Sequence, residues 1–271
     1  MLKKVRRRFY ATSLYPPYVR FVRRAQARRD QLRWRLMDGW QRLTGRPALP
    51  PPQLIEFVIG NPSTAWFLHS GRLAAGSISA LLQKHGYSIN HLESVLDFGC
   101  GLGRVMRHWH RHRGPHFHGS DYNPTLIRWC QQNLRFARFA ENPLEGPLPY
   151  PGGSFDFIYA LSVFTHLTEP QQAYWMNELR RVLRRGGHLL ISTHGEYYLE
   201  QILPESRQKF RAGQCVVQGG EHAGTNICSA YHPPQYVRDH LATEFEIVDF
   251  VPKGALGNPW QDYWLLRKPA P

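Results

Sequence analysis

The sequence predicts a doubly wound α/β protein with a mostly parallel seven-stranded sheet closed by an antiparallel C-terminal strand. Three observations predict it. Five strand candidates (94–98, 116–120, 136–140, 155–160 and 188–193) alternate with helical or loop segments, and repeated strand–helix units imply a parallel sheet covered on both faces. A glycine turn, Gly99 to Gly103, follows the first stretch, at the strand C-terminal end where such sheets receive ligands. The last two strands, 244–251 and 260–267, are joined by a Gly/Pro/Asn segment with no helix between them, which makes them an antiparallel pair.

The elements follow in chain order. Residues 1–46 carry 14 Lys/Arg against Asp30 and Asp38, while the rest of the chain carries 20 Lys/Arg against 18 Asp/Glu. The net charge of +14 is therefore a property of a tail, and it does not indicate a nucleic-acid-binding fold. Residues 19–43 read as one basic amphipathic helix, with Val22, Ala25, Leu32, Leu36, Trp40 and Leu43 at helical spacing and Arg29 interrupting the stripe. Four uses stay open: lying on an anionic membrane surface, holding nucleic acid electrostatically, serving as an arginine-rich targeting presequence over 1–29, or packing the stripe on the domain. Pro47, Pro50, Pro51 and Pro52 break the helix, so residues 1–52 are read as an extension and 53–271 as the main domain.

Within that domain, 63–86 reads as a helical cap with Ser63 at its start. Segments 103–112, 124–134 and 170–184 read as helices, the last ending on Gly186 and Gly187. Residues 194–243 form a long insert, and connections beyond about 15 residues are usually functional, so a substrate lid is expected. No apolar run reaches the roughly 18 residues of a transmembrane helix. The four cysteines form no CxxC pair, which fits a reducing, cytoplasmic compartment, peripheral at the membrane if the tail binds lipid.

The central motif is Asp97-Phe98-Gly99-Cys100-Gly101-Leu102-Gly103. A dinucleotide site uses GxGxxG and sets pyrophosphate on a helix N-terminus. Here the spacing is GxGxG with Asp97 two residues ahead of it, an anion that disfavours pyrophosphate and favours a cation such as a methionine ammonium or a sulfonium. Asp121 ends the second strand, where a carboxylate can accept both hydroxyls of a ribose; the competing role is a helix cap before Pro124, which Asn123 can also fill.

Together these residues resemble the class I, seven-stranded S-adenosylmethionine-dependent methyltransferases, over about residues 54–268. The resemblance implies S-adenosyl-L-methionine as cofactor, held by the matching run from Asp97 to Gly103, with Gly99, Cys100 and Gly101 bordering the methionine moiety. It implies Asp121 and Tyr122 at the ribose and adenine, Asn142 (beside Glu141) at the adenine edge, and Ala160 and Leu161 under the cofactor. Arg185 stands where the family often has proline. Residues 162–167 (SVFTHL) and Gln261-Asp262 look like a bacterial type associated with polysaccharide or glycolipid synthesis, which implies a small-molecule or glycan acceptor methylated on a hydroxyl.

A hydroxyl acceptor needs its proton removed, and His166 and His194 follow the fourth and fifth strands at the ligand edge, where an imidazole can act as general base. Tyr197, Tyr198, His222, Asn226 and Tyr231 of the lid are acceptor contacts or lid packing. Metal readings fail on spacing: the histidines from His108 to His118 have no carboxylate or cysteine partner and are expected on an exposed basic helix face, and Cys215, His222, Cys228 and His232 lack zinc-finger spacing. The alternative function is a catalytically inactive relative of the fold that binds a partner through its basic helix.

Overall fold

The computed structural model describes residue 29, residues 31–258 and residues 260–270. The predicted basic helix over 19–28 and the presequence reading therefore lie outside the described residues, apart from Arg29. The chain divides into two compact units between Thr64 and Ala65. In the first, residues 31–43 are helical and α1 spans Pro52–Ile59. Between them the chain turns back: Trp34 Nε1 donates to the Leu49 carbonyl (3.3 Å) and Asp38 Oδ1 accepts from the Leu49 amide (2.7 Å).

The second unit holds the sheet. Its strands are β1 (Ser94–Phe98), β2 (His116–Asp121), β3 (Ala137–Glu141), β4 (Phe155–Ala160), β5 (Leu183–Thr193), β8 (Glu246–Val251) and β9 (Asp262–Arg267), while β6 (Val216–Gln218) and β7 (Ser229–Tyr231) form a separate ribbon. The order is β3-β2-β1-β4-β5-β9-β8, parallel from β3 to β5, with β9 antiparallel to both its neighbours. The predicted fold class is thus observed, with strand ends moved by a residue or two except at β5. The connection order reverses between β1 and β4, which opens a crevice at their C-terminal ends.

Alternation along each central strand sends side chains to two cores. One face packs Val95, Phe157, Tyr159, Leu190 and Tyr263 against α2 (Thr64–Lys84), α3 (Pro124–Asn133) and the turn at Met106–Trp109. The other packs Leu96, Phe98, Ile158, Ile191 and Trp264 against α4 (Glu169–Val182) and the helical residues Tyr236 to Leu241. α2 is thus a face-covering helix through Ala74, Ala75, Ile78, Leu81 and Leu82.

Three expectations are corrected. Residues 103–112 are not a helix: turns lead to one 3₁₀ stretch, Met106–Trp109, because Gly101 and Gly103 sit at φ 53° and 64° and hold the chain in tight turns. The histidines there do not line an exposed basic face; Arg107 is buried with its guanidinium 5.3 Å from the Phe67 ring centre, and His108, His110 and His112 are half-buried. The helix predicted over 170–184, α4, stops at Val182, before the glycines, and β5 begins at once. Its last carbonyls are satisfied by Lys268 Nζ, which donates to Arg180 O and Leu183 O (2.7 Å each), so no glycine cap is needed.

Candidate active site

The site grows from the turn after β1. Gly99, Gly101 and Gly103 all have positive φ, and a side chain on Gly99 would collide with the Val163 methyl. The loop is tied to its neighbours through its own amides. Gly99 N and Cys100 N both donate to Ser120 O (2.8 and 3.0 Å), Gly103 N to Cys100 O (2.9 Å), and Gly101 N to Asp121 Oδ2 (2.8 Å). Four amides are thus engaged with protein acceptors, and only turns and a 3₁₀ stretch follow. The run into a long helix N-terminus that a pyrophosphate cradle uses is replaced here by turns and a short 3₁₀ stretch.

Asp97 is buried and lies in register with Tyr159 on β4. Burial pushes its carboxyl up to about 7, against the Tyr159 hydroxyl and the Arg104 charge, which favour ionisation, and with Asp121, which opposes it. Arg104 is tied elsewhere: it donates to Asn258 Oδ1 (2.5 Å) and Ser70 Oγ (3.3 Å). Asp97 is therefore a buried carboxyl whose positive neighbour, Arg104, is shared with other acceptors and only partly offsets its burial.

Asp121 is the second buried acid. Its oxygens accept from Gly101 N and Asn123 N (2.9 Å), while burial raises its pKa against the Asn123, Gly101 and Tyr122 amides. The helix-cap role belongs to Asn123, whose Oδ1 accepts from Thr125 N (3.0 Å) and Leu126 N (3.3 Å). Asp121 still has lone pairs beyond these bonds. Asn142, after β3, donates its amide N–H to Asp121 O (3.1 Å) and its side-chain amide to Pro143 O (2.8 Å), leaving Oδ1 buried without a protein partner. Ala160 is fully buried in the second core and Leu161 belongs to the first, at the end of β4.

The insert after β5 has a core of its own, Tyr198, Ile202, Phe210, Val216 and Tyr231. One of its residues spans the crevice. Gly224 N donates to His166 O (2.7 Å), and Gly224 O accepts from the Tyr122 hydroxyl (2.8 Å). Tyr122 follows β2 and His166 follows β4, the two strands flanking β1, so Gly224 bridges the mouth above the glycine turn.

The histidines differ. His166 Nδ1 is 2.7 Å from Cys228 O; a carbonyl only accepts, so Nδ1 carries the proton and Nε2 keeps its lone pair. Burial lowers its pKa, opposed by that bond. His194 lies 6.4 Å from His166 between ring centres and packs on Tyr198 at 4.1 Å. Burial, with His166 adding, drives it down to about 3, so it stays neutral and is a weak base.

The structure gathers Asp97, the glycines, Cys100, Asp121, Tyr122 and Asn142 at the ends of β1, β2 and β3, with His166 and His194 beside them at β4 and β5. Sequence reasoning missed Tyr159, Arg104 and a network around Ser162. Ser162 has φ 56°; its amide donates to Ser192 Oγ (2.8 Å), and its hydroxyl accepts from Asn258 Nδ2 and Gln261 Nε2 (2.7 Å each). Arg104, directly after the glycine run, was the one signalled by position. Among the described residues no cluster of three His, Cys, Asp or Glu could hold a metal ion, and no helix is long and apolar enough to cross a membrane.

Residues 96–191 match the methyltransferase domain family. The chicken tRNA N(3)-cytidine methyltransferase is 24% identical over 132 residues, covering 45% of this chain and 34% of that protein. A malonyl-[acyl-carrier protein] O-methyltransferase from Paenibacillus is 26% identical over 164 residues, covering 51% and 57%. The chain thus spans between about a third and just over half of these curated relatives' length. The fold is shared with the 1,6-didemethyltoxoflavin-N1-methyltransferase of Burkholderia thailandensis, solved with S-adenosylhomocysteine, at TM-score 0.51 and 20% identity over 74% of this chain and 84% of that one. Residues 96–191 thus match a methyltransferase domain, on a fold shared with solved S-adenosylmethionine-dependent methyltransferases. The residues fit that cofactor: a buried carboxylate for a cation, a turn without Cβ atoms, an acid at the end of β2, and a buried unpaired acceptor on Asn142.

Proposed function

From a chain whose residues 96–191 match a methyltransferase domain, we propose S-adenosylmethionine-dependent methyl transfer to a hydroxyl of a small polar or sugar-containing acceptor. The observation that carries the cofactor half is Asp97, a buried carboxylate with a raised pKa at the topological switch point. Within the protein Arg104 only partly offsets its burial, and a cofactor ammonium would add a second positive charge. Asp121 keeps acceptor capacity for the ribose hydroxyls, and Asn142 Oδ1 offers an acceptor for the adenine amino group. The bound cofactor supplies an electrophilic methyl on a sulfonium. The chain's own residues position the acceptor in line, exclude water beneath the 194–243 segment, and take up a proton.

His166 is the general base in this reading. Its Nδ1–H is held by a lid carbonyl, which fixes the tautomer and leaves Nε2 to accept the acceptor's hydroxyl proton as the oxygen attacks. His194 is an orienting neighbour. A glycan or lipid-linked sugar is the acceptor class that the motif at 162–167 with Gln261 suggests. The relatives' names give tRNA and malonyl-[acyl-carrier protein] as their substrates, so acceptor chemistry in related proteins is broad.

The test has two arms. Titration calorimetry should detect S-adenosylmethionine binding and none for NAD. A labelled-methyl assay on fractionated extract should put label into a polysaccharide or glycolipid fraction in alkali-stable linkage. NAD binding would overturn the cofactor assignment, and label confined to RNA or protein would overturn the acceptor class.

A further inference from the structure

The helix at 31–43 presents its apolar stripe to solvent. Leu32, Leu36, Trp40 and Leu43 are 60%, 68%, 52% and 89% exposed. The spacing i, i+4, i+8, i+11 sets these four within about 80° of one another at roughly 100° per residue. The opposite face does the packing. Trp34 and Asp38 bond to Leu49, and Gln41 is buried. The packed face is thus the more polar one, the reverse of what burial of a helix in its own domain selects.

Charge is arranged around the stripe. Arg29 falls within it, Arg33 flanks one side, Arg35 and Arg42 the other, and all four are exposed. Arg42 pairs through its Nε (2.8 Å) with Asp38, the one carboxylate within 31–43, and Arg46 stacks over the Trp40 ring at 4.6 Å. Residues 1–46 hold 14 Lys/Arg and two acids.

We infer that this helix is an interfacial anchor that seats Leu32, Leu36, Trp40 and Leu43 in the headgroup–acyl boundary of an anionic bilayer, with the flanking arginines on lipid phosphates. Charge alone would serve any polyanion. The exposed leucines and tryptophan at the centre of the charged face choose the lipid, because a nucleic-acid backbone offers them no apolar phase, whereas a bilayer boundary does. Basic residues near an anionic surface and an apolar stripe are the two signals that make such binding stable. Arginines on both flanks of the apolar stripe suit a helix lying along the surface.

The experiment is co-sedimentation of the full chain with vesicles of phosphatidylcholine containing about 30 mol% phosphatidylglycerol, beside pure phosphatidylcholine vesicles and bulk tRNA. The double variant Leu36→Ser/Trp40→Ser keeps every charge. The wild type is expected to bind the anionic vesicles at least about ten-fold more tightly than the neutral ones, and the variant to lose about ten-fold or more on the anionic vesicles while retaining its affinity for tRNA. Circular dichroism and cofactor titration should be unchanged in the variant, which separates this outcome from misfolding and from failure of the methyltransferase reading. Equal vesicle binding by wild type and variant, or binding to tRNA with none to anionic vesicles, overturns the proposal.

Discussion

Replacing Asp97 by asparagine should strengthen the ligand-free protein and abolish its cofactor binding. The carboxyl's pKa rises from 3.8 to about 7 on folding, chiefly through burial. A raised native pKa means that the contribution of this group to stability is full below about pH 4 and is lost as pH rises through about 7. About three pH units correspond to roughly 4 kcal/mol at alkaline pH. Between about pH 5 and pH 8.5 the wild type should lose about 3 kcal/mol on this account, whereas the side-chain amide of the variant does not titrate. Urea denaturation of both proteins at the two pH values, taken as a difference of differences, isolates the group from other titrations. The cofactor reverses the balance by bringing its own positive charge. Binding near about pH 6.5 should then release about 0.8 proton per cofactor, read as the buffer dependence of the calorimetric enthalpy. Parallel pH profiles for the two proteins, or undiminished cofactor binding by Asp97→Asn, would refute the assignment of a buried, cation-seeking carboxylate.

Asp121→Ala should weaken S-adenosylmethionine by roughly 1.5–3 kcal/mol in calorimetry, the scale of a charge-assisted hydrogen bond, and unchanged affinity would remove Asp121 from the site. His166→Gln should lower kcat by about 10²–10⁴ with cofactor affinity intact, and wild-type kcat/KM for the acceptor, measured at saturating cofactor so that Asp97 is already ionised, should fall only in acid, below the ordinary histidine range, because the His166 pKa is lowered. His194→Gln should cost far less, and the reverse ranking would exchange the two roles. Tyr122→Phe removes one of the two bonds at Gly224 and should speed cofactor exchange in stopped flow, with equal rates denying the bridge a gating role. Gly195→Ala should lower stability by about 1–3 kcal/mol in urea titration, since its new methyl would overlap the buried Asp262 carboxylate.

The central parallel strands β1, β4 and β5 were legible as compact apolar runs and β2 and β3 from their place between helical segments, while the terminal hairpin was legible because two strand patterns meet across turn residues. Asp97, Asp121 and the glycines were legible as positions on that frame. What sequence left hidden depends on contacts between distant residues. Lys268 closes a helix 85 residues upstream, which made glycines look like the stop signal. Gly224 meets Tyr122 across 102 positions, and Ser162 meets Gln261 across 99. The ranking of His166 over His194 needed burial and a single carbonyl, Cys228 O, that no local pattern announces. The turns at 103–109 were misread because the apolar spacing of Val105, Met106 and Trp109 suits a helix, while left-handed glycines ahead of it impose another path.

The saturated amides of the glycine turn have a thermodynamic consequence. Gly99, Cys100, Gly101 and Gly103 already donate to Ser120, Cys100 and Asp121, so the turn is shaped when the sheet forms. Its ordering entropy is spent in folding and is absent from the binding equilibrium. Two of those bonds end on one main-chain carbonyl, at Ser120, which no side-chain substitution deletes. The shape of the cradle is therefore insulated from the identity of its side chains. The Cys100 sulfur, beside the Phe139 ring, fills the space that Gly119 leaves by lacking a Cβ.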